Sequence, residues 1–198
     1  MNARARFVVV LTAVALAVTG CSGANDELAD QYRSGENLNY ISGDGTVTEF
    51  ELEERQAPVA FEGVLEDGTE VSSEDYAGEV LVVNFWYAEC PPCRAEAELL
   101  EQTHQAYREQ GVEFLGVNVR NQADTALAFS RTFGVTYPSI MDADTGSAQL
   151  AFAGTVAPNA VPTTLILDKQ GRVASRILGQ VTDESTFETL IRDAAAED

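Results

Sequence analysis

Two cysteines separated by two prolines, Cys90-Pro91-Pro92-Cys93, follow closely on the apolar run Val80-Leu81-Val82-Val83-Asn84-Phe85-Trp86. A nearly continuous run of that kind reads as a central strand buried on both faces. Good helix formers then continue to about Gln110, with Leu99, Leu100, Thr103, Ala106 and Tyr107 at helical spacing and expected to face a core. Pro91 and Pro92 suit a helix start, where missing N–H donors matter least. The chain therefore has to make a strand, a tight turn and a helix, with both cysteines on the helix's first turn.

Cysteines at i and i+3 share one helix face and lie close enough to bridge. Such a bridge joins neighbouring turns and staples nothing distant. It adds little stability and opens readily, which suits an exchanging disulfide better than a structural one. Exchange needs a thiolate attacker. Cys90 stands where orphan N–H groups and the positive end of the helix dipole favour an anion, a placement that lowers thiol pKa values. Cys93 is then the resolving thiol. A zinc site would need two further ligands, and the chain has no second cysteine pair and a single histidine, His104. A purely structural disulfide is the other alternative. No metal or cofactor is expected.

Around this unit the pattern reads β-α-β-α-β-β-α from Val80 onward, with extra strands before it. Thr46 to Leu52 alternates with period two, and Val59 to Leu65 is a second strand. Ser72 to Tyr76 reads as a Ser-capped helical turn stopped at Gly78. Val112 to Val119 is a strand, Asp124 to Phe133 an amphipathic helix, Ser147 to Phe152 a short helix and Thr163 to Leu167 a strand. Asp168-Lys169-Gln170-Gly171 turns a hairpin into Arg172 to Leu178, and Glu184 to Ala195 closes as a helix. The fold class is α/β, a central mixed sheet flanked by helices on both faces. Residues 46–198 form its one domain.

Residues 1–20 read as an address. Arg4 and Arg6 precede an apolar run from Phe7 to Val18 that is shorter than the ~20 residues a spanning helix needs. Val18-Thr19-Gly20-Cys21 resembles the bacterial lipobox. That resemblance implies cleavage before Cys21 and lipid attached to it, the alternatives being an ordinary secretory signal or an uncleaved anchor. Two or more acyl chains hold stably where one does not, so the expected location is the extracytoplasmic face of the cell membrane, where disulfides persist. Residues 21–45 then serve as a tether, whose polar and acidic stretch from Ser22 to about Asn39 has a reach of roughly 25 Å. The chain carries a net charge of −20, with 12 basic and 32 acidic residues. A body this acidic repels nucleic-acid phosphates, so nucleic-acid binding is not expected.

Asn84-Phe85-Trp86-Tyr87-Ala88-Glu89-Cys90-Pro91-Pro92-Cys93-Arg94-Ala95-Glu96 resembles the TlpA/ResA-type membrane-tethered thioredoxins, which carry N-F-W-x-x-x-C-P-P-C-x-x-E. Val161-Pro162-Thr163-Thr164 resembles their cis-proline loop. The resemblance covers roughly Ala57 to the C-terminus. It implies a thioredoxin fold with extra N-terminal strands and an insertion before the cis-proline. It further implies a cis bond at Pro162 facing the sulfurs, and a role for Glu96 in tuning the thiols and shuttling a proton. A cis X-Pro turn would let the Val161 backbone pair with an extended substrate. Asn84 stands where ordinary thioredoxins carry a buried aspartate. Asn cannot accept a proton, which points to Glu96 as the base.

Two further residues qualify the site. Family members usually have tryptophan before the first cysteine, and here it is Glu89. A carboxylate there should oppose thiolate formation and bias docking toward basic or polar partners. Trp86 is expected to pack beneath the site, and His104 to be exposed on the helix face away from the apolar stripe. Trp86, Glu89, Pro91, Pro92 and Val161 are the candidate substrate contacts; Cys90, Cys93, Glu96 and Pro162 are the candidate catalytic set.

The expected activity is thiol-disulfide exchange with protein dithiol or disulfide substrates, as a reductant of exported proteins. By resemblance these include apocytochrome c, and a membrane electron donor or acceptor would turn the pair over. Three alternatives stand beside it. One is oxidative folding, and another is non-enzymatic assembly. The third is a thiol peroxidase, whose signature would put threonine where Tyr87 stands.

Overall fold

The computed structural model describes residues 45–157 and 160–197. The expected signal, the lipidation site at Cys21 and nearly all of the tether lie outside them. Val80–Trp86 (β4) is buried at every residue and forms the middle of a six-stranded sheet. Its neighbours are Val112–Asn118 (β5), parallel, and Thr163–Leu167 (β7), antiparallel. Beyond β5 lies Ser139–Met141 (β6), and beyond β7 lie Val173–Leu178 (β8) and Thr46–Glu49 (β1). Glu62–Val64 (β2) and Glu70–Ser72 (β3) make a separate hairpin, so the strand expected from Val59 shortens to three residues.

The helices are Pro91–Tyr107 (α1), Ala123–Phe133 (α2), Ser147–Ala151 (α3) and Glu184–Ala196 (α4), with short 3-10 turns at Ser73–Tyr76 and Arg108–Gln110. Alternation along β4 divides the core between the two faces of the sheet. Val80 and Val82 pack with Phe114, with Leu100 of α1 and with Phe187 and Ile191 of α4. Trp86, further along the same side, meets Phe129 of α2. Leu81, Val83 and Phe85 face Phe61, Ala148 of α3 and Phe152. The mixed α/β sheet expected from the strand–helix order is the architecture found, in the thioredoxin-like arrangement that the family resemblance implied.

Turn chemistry is met locally. Gly171 at φ 77° closes the β7–β8 hairpin, where the buried Asp168 accepts from the Gln170 and Arg172 N–H groups and from Arg172 Nε. Arg55 Nη1 reaches the same carboxylate at 2.9 Å and also binds Glu197, clasping the chain before β2 to the end of α4.

Two expectations fail along α1. Ala106 is exposed, and His104 is buried at 8% exposure. The stripe that meets the core runs Cys93, Glu96 and Ala97, Leu100, then Thr103 and His104. At 3.6 residues per turn those six positions fall within a sector of about 120°, which takes in His104 and leaves Ala106 outside. The imidazole lies 5.3 Å from the Phe114 ring and 5.7 Å from that of Tyr137. Its Nδ1 has no hydrogen-bond partner among the described residues.

Candidate active site

β4 ends at Trp86, and the chain turns through Tyr87, Ala88 and Glu89 into α1. Cys90 is the helix N-cap, with extended backbone angles, and its Sγ accepts from the Cys93 N–H at 3.3 Å. The orphan donor predicted at the helix opening is thus aimed at the sulfur. Cys90 and Cys93 are joined as a disulfide with Cα atoms 5.3 Å apart. Pro91 and Pro92 occupy the first two helical positions. The peptide bond between Val161 and Pro162 is cis, as the loop pattern implied. Val161 packs in one cluster with Trp86, Tyr87, Cys90, Cys93 and Ala97. Both cysteines are buried, Cys90 completely, so an attacking thiolate must displace part of this rim to reach either sulfur.

One turn below the disulfide, Glu96 is 1% exposed. Burial pushes its carboxyl up to about 8, against the opposing hydrogen bonds from the Val181 N–H and the Asn84 amide. Those donors lie 2.8 Å from Oε2 and 2.9 Å from Oε1. Asn84 Nδ2 also donates to Thr164 Oγ1 at 3.0 Å, so β4 and β7 together present a donor to the acid on α1. The arrangement holds a buried carboxyl that exchanges its proton near pH 8, one helical turn from the sulfur pair. Trp86 lies under the site as expected, its Nε1 donating to Ser139 Oγ at 3.2 Å and its ring 4.4 Å from that of Phe129.

An apolar groove of about 300 Å³ runs between α3 and the proline loop. Val119, Leu150, Val156 and Val161 line it, and Leu150 is 77% exposed. Among the described residues, no group of three or more His, Cys, Asp or Glu is placed to hold a metal.

The Redoxin family profile matches residues 46–191. This chain belongs to the Redoxin family. Similarity to the TlpA/ResA-type thioredoxins, first read from the motifs, recurs in its relatives. The thiol-disulfide oxidoreductase ResA of Geobacillus thermodenitrificans (strain NG80-2) is 36% identical over 118 residues, which is 60% of this chain and 65% of that protein. The chain spans 64–65% of the length of three of the ResA relatives it matches. Among solved structures, a DsbF homologue from Corynebacterium diphtheriae is 32% identical with a TM-score of 0.66, covering 78% of this chain and 98% of that one. A secreted thiol-disulfide isomerase from Corynebacterium glutamicum is 30% identical with a TM-score of 0.69, covering 80% and 97%.

Within this redoxin the structure gathers Cys90, Cys93, Glu96, Trp86 and Val161 at one end of the central strands. Glu89 is exposed beside them. Sequence reasoning missed Asn118, Asn121, Thr164 and Val181. The Asn118-Val119-Arg120-Asn121 segment, which starts on the last residue of β5, braces the 86–90 turn: Val119 N–H donates to Trp86 O, and the Arg120 guanidinium carbon sits 3.8 Å from the Tyr87 ring centre. Buried asparagines at a strand end were the available signal, because an amide removed from water needs partners on both sides. Nothing in the sequence said which partners.

Proposed function

We propose that this chain is an extracytoplasmic thiol-disulfide oxidoreductase that exchanges the Cys90–Cys93 pair with protein substrates, working as a reductant. The observation that carries the reading is a disulfide at a helix N-cap with a buried, donor-bound Glu96 one turn behind it. In the reducing direction, the Cys90 thiolate attacks one sulfur of a substrate disulfide. The substrate's other sulfur leaves as a thiolate and takes a proton, and a mixed disulfide remains on Cys90. The ionised form of Glu96, the minor form at neutral pH, accepts the Cys93 proton. The Cys93 thiolate then attacks Cys90 Sγ, releasing the substrate's second thiolate and closing the Cys90–Cys93 bond. Two electrons pass to the substrate, and a membrane dithiol donor restores the pair.

Exported proteins are the substrate class, apocytochrome c thiols among them by resemblance to the TlpA/ResA-type proteins. The groove beside Val161 suits an apolar side chain on an extended segment pairing with the Val161 backbone. Attachment through a lipidated Cys21 would hold the domain at the membrane, and the positive n-region and Val-Thr-Gly-Cys pattern support it. Glu89 adds negative charge where the substrate docks, which favours basic or polar segments.

Trapping tests the reading. Cys93→Ser, expressed in the native host, should retain substrate proteins on Cys90 as dithiothreitol-sensitive adducts, and Cys90→Ser should retain none. Equal recovery from both variants would overturn the proposal.

A further inference from the structure

Glu89 sets a charge directly before the sulfur that attacks. Its Oε2 accepts from Asn121 Nδ2 at 2.8 Å. The other end of the same amide is also engaged: Asn121 Oδ1 accepts from the Ala88 N–H at 2.7 Å and from Asn118 Nδ2 at 3.2 Å. Asn118 Oδ1 in turn accepts from the Asn121 N–H at 2.7 Å. The amide's orientation is dictated, since a carboxylate only accepts and a backbone N–H only donates. Asn121 is 9% exposed and Asn118 fully buried, so this bridge rests on a buried strand end. The Cys90 N–H donates to Tyr87 O at 3.2 Å, which places the nucleophile on the same turn that Asn121 grips.

We propose that Asn121 is a positioning residue for Cys90: its amide engages the Glu89 carboxylate and the Ala88 N–H together, fixing the turn that presents the sulfur and keeping the neighbouring charge committed to Asn121. A charge-assisted hydrogen bond draws a carboxylate to its donor. Without it the side chain of Glu89 is free to sample positions near Cys90, where a like charge disfavours the thiolate. The other charged groups around the sulfur are Arg94 and Glu96 on α1 and Arg120 on the loop after β5. Val161, Pro162 and Thr163 bring none. The inference rests on the exchange reading, yet its test needs no partner protein.

The full-length chain carrying Cys93→Ser is reduced and alkylated with iodoacetamide across a pH series. Cys90 is read peptide by peptide by mass spectrometry, so that Cys21 does not interfere. The rate at pH 7 is divided by the high-pH plateau. The plateau reports access to the sulfur; the ratio reports the thiolate fraction. Asn121→Ala should lower the ratio about threefold, and adding Glu89→Gln should restore it. Glu89→Gln with Asn121 in place should move it less than twofold. An unchanged ratio in Asn121→Ala, or a lowered one that Glu89→Gln fails to restore, overturns the proposal. If Asn121→Ala does not fold by circular dichroism, Asn121→Ser carries the same expectation, its hydroxyl being too short to hold Glu89. A gain above twofold in Glu89→Gln alone also overturns it, because the carboxylate would then act on the sulfur despite Asn121. A chain that shows the coupling but exchanges with no protein disulfide would sink the proposed function and leave this inference standing.

Discussion

The Asn84 amide donates to the Glu96 carboxylate at 2.9 Å, from the middle of the central strand to the first turns of the helix that carries both cysteines. Glu96's second oxygen accepts from the Val181 backbone. Both partners are donors, so the geometry satisfies the ionised acid, while burial opposes ionisation and prevails.

The pH dependence of folding follows from that balance. Glu96 rises from an ordinary 4.5 to about 8 in the folded chain. The folded state therefore holds a proton that the unfolded state has lost between those values. Stability from this group is present at low pH and falls as pH rises toward 8. Urea unfolding followed from pH 5 to 8.5 should show the decline in the wild type and lack it in Glu96→Gln. A decline of the same slope in both would exclude Glu96 as its source.

Asn84→Ala removes one donor to the acid and the Thr164 contact together. A loss of about 1–3 kcal/mol is expected for unmade buried hydrogen bonds. The loss should be larger at pH 8.5 than at pH 5, because the ionised carboxylate needs the donor more. Denaturant midpoints at the two pH values decide it; equal losses would mean that Asn84 serves packing alone.

His104 should destabilise the fold as pH falls. Desolvation holds its imidazole below the ordinary 6.5, with Glu101 and Glu113 opposing and Arg108 assisting. The unfolded chain then takes up a proton that the folded chain refuses, so stability is lost below about 6.5. His104→Leu replaces a ring with an orphan Nδ1 by an apolar group of similar reach. Its melting temperature should equal or exceed that of the wild type at pH 7, with a widening advantage at pH 5.5. A lower value at both would show that the imidazole has a partner.

Leu150 tests the groove. At 77% exposure it contributes little to the core, so Leu150→Asp should leave the melting temperature within about 2 °C, as surface substitutions do. The catalytic efficiency toward a protein disulfide should fall severalfold, and that toward a small aromatic disulfide should stay unchanged. Equal effects on both substrates would place docking elsewhere.

Local chemistry was legible in the chain because it depends on neighbours in sequence. The buried run at Val80–Trp86, the helix opened by Pro91 and Pro92, the hairpin at Asp168–Gly171 and the Cys90–Cys93 pairing each follow from residues within one element or turn. The proline loop was legible through family resemblance. Tertiary structure alone decided what faces those elements. Val181 and Asn84 converge on Glu96 from points 85 and 12 residues away, Asn121 reaches Glu89 across 32, and His104 is enclosed by Phe114 and Tyr137. Periodicity tells which side of a helix turns inward, but a hydrogen bond between distant segments is specified by where the whole sheet places its strand ends, and no local pattern encodes that.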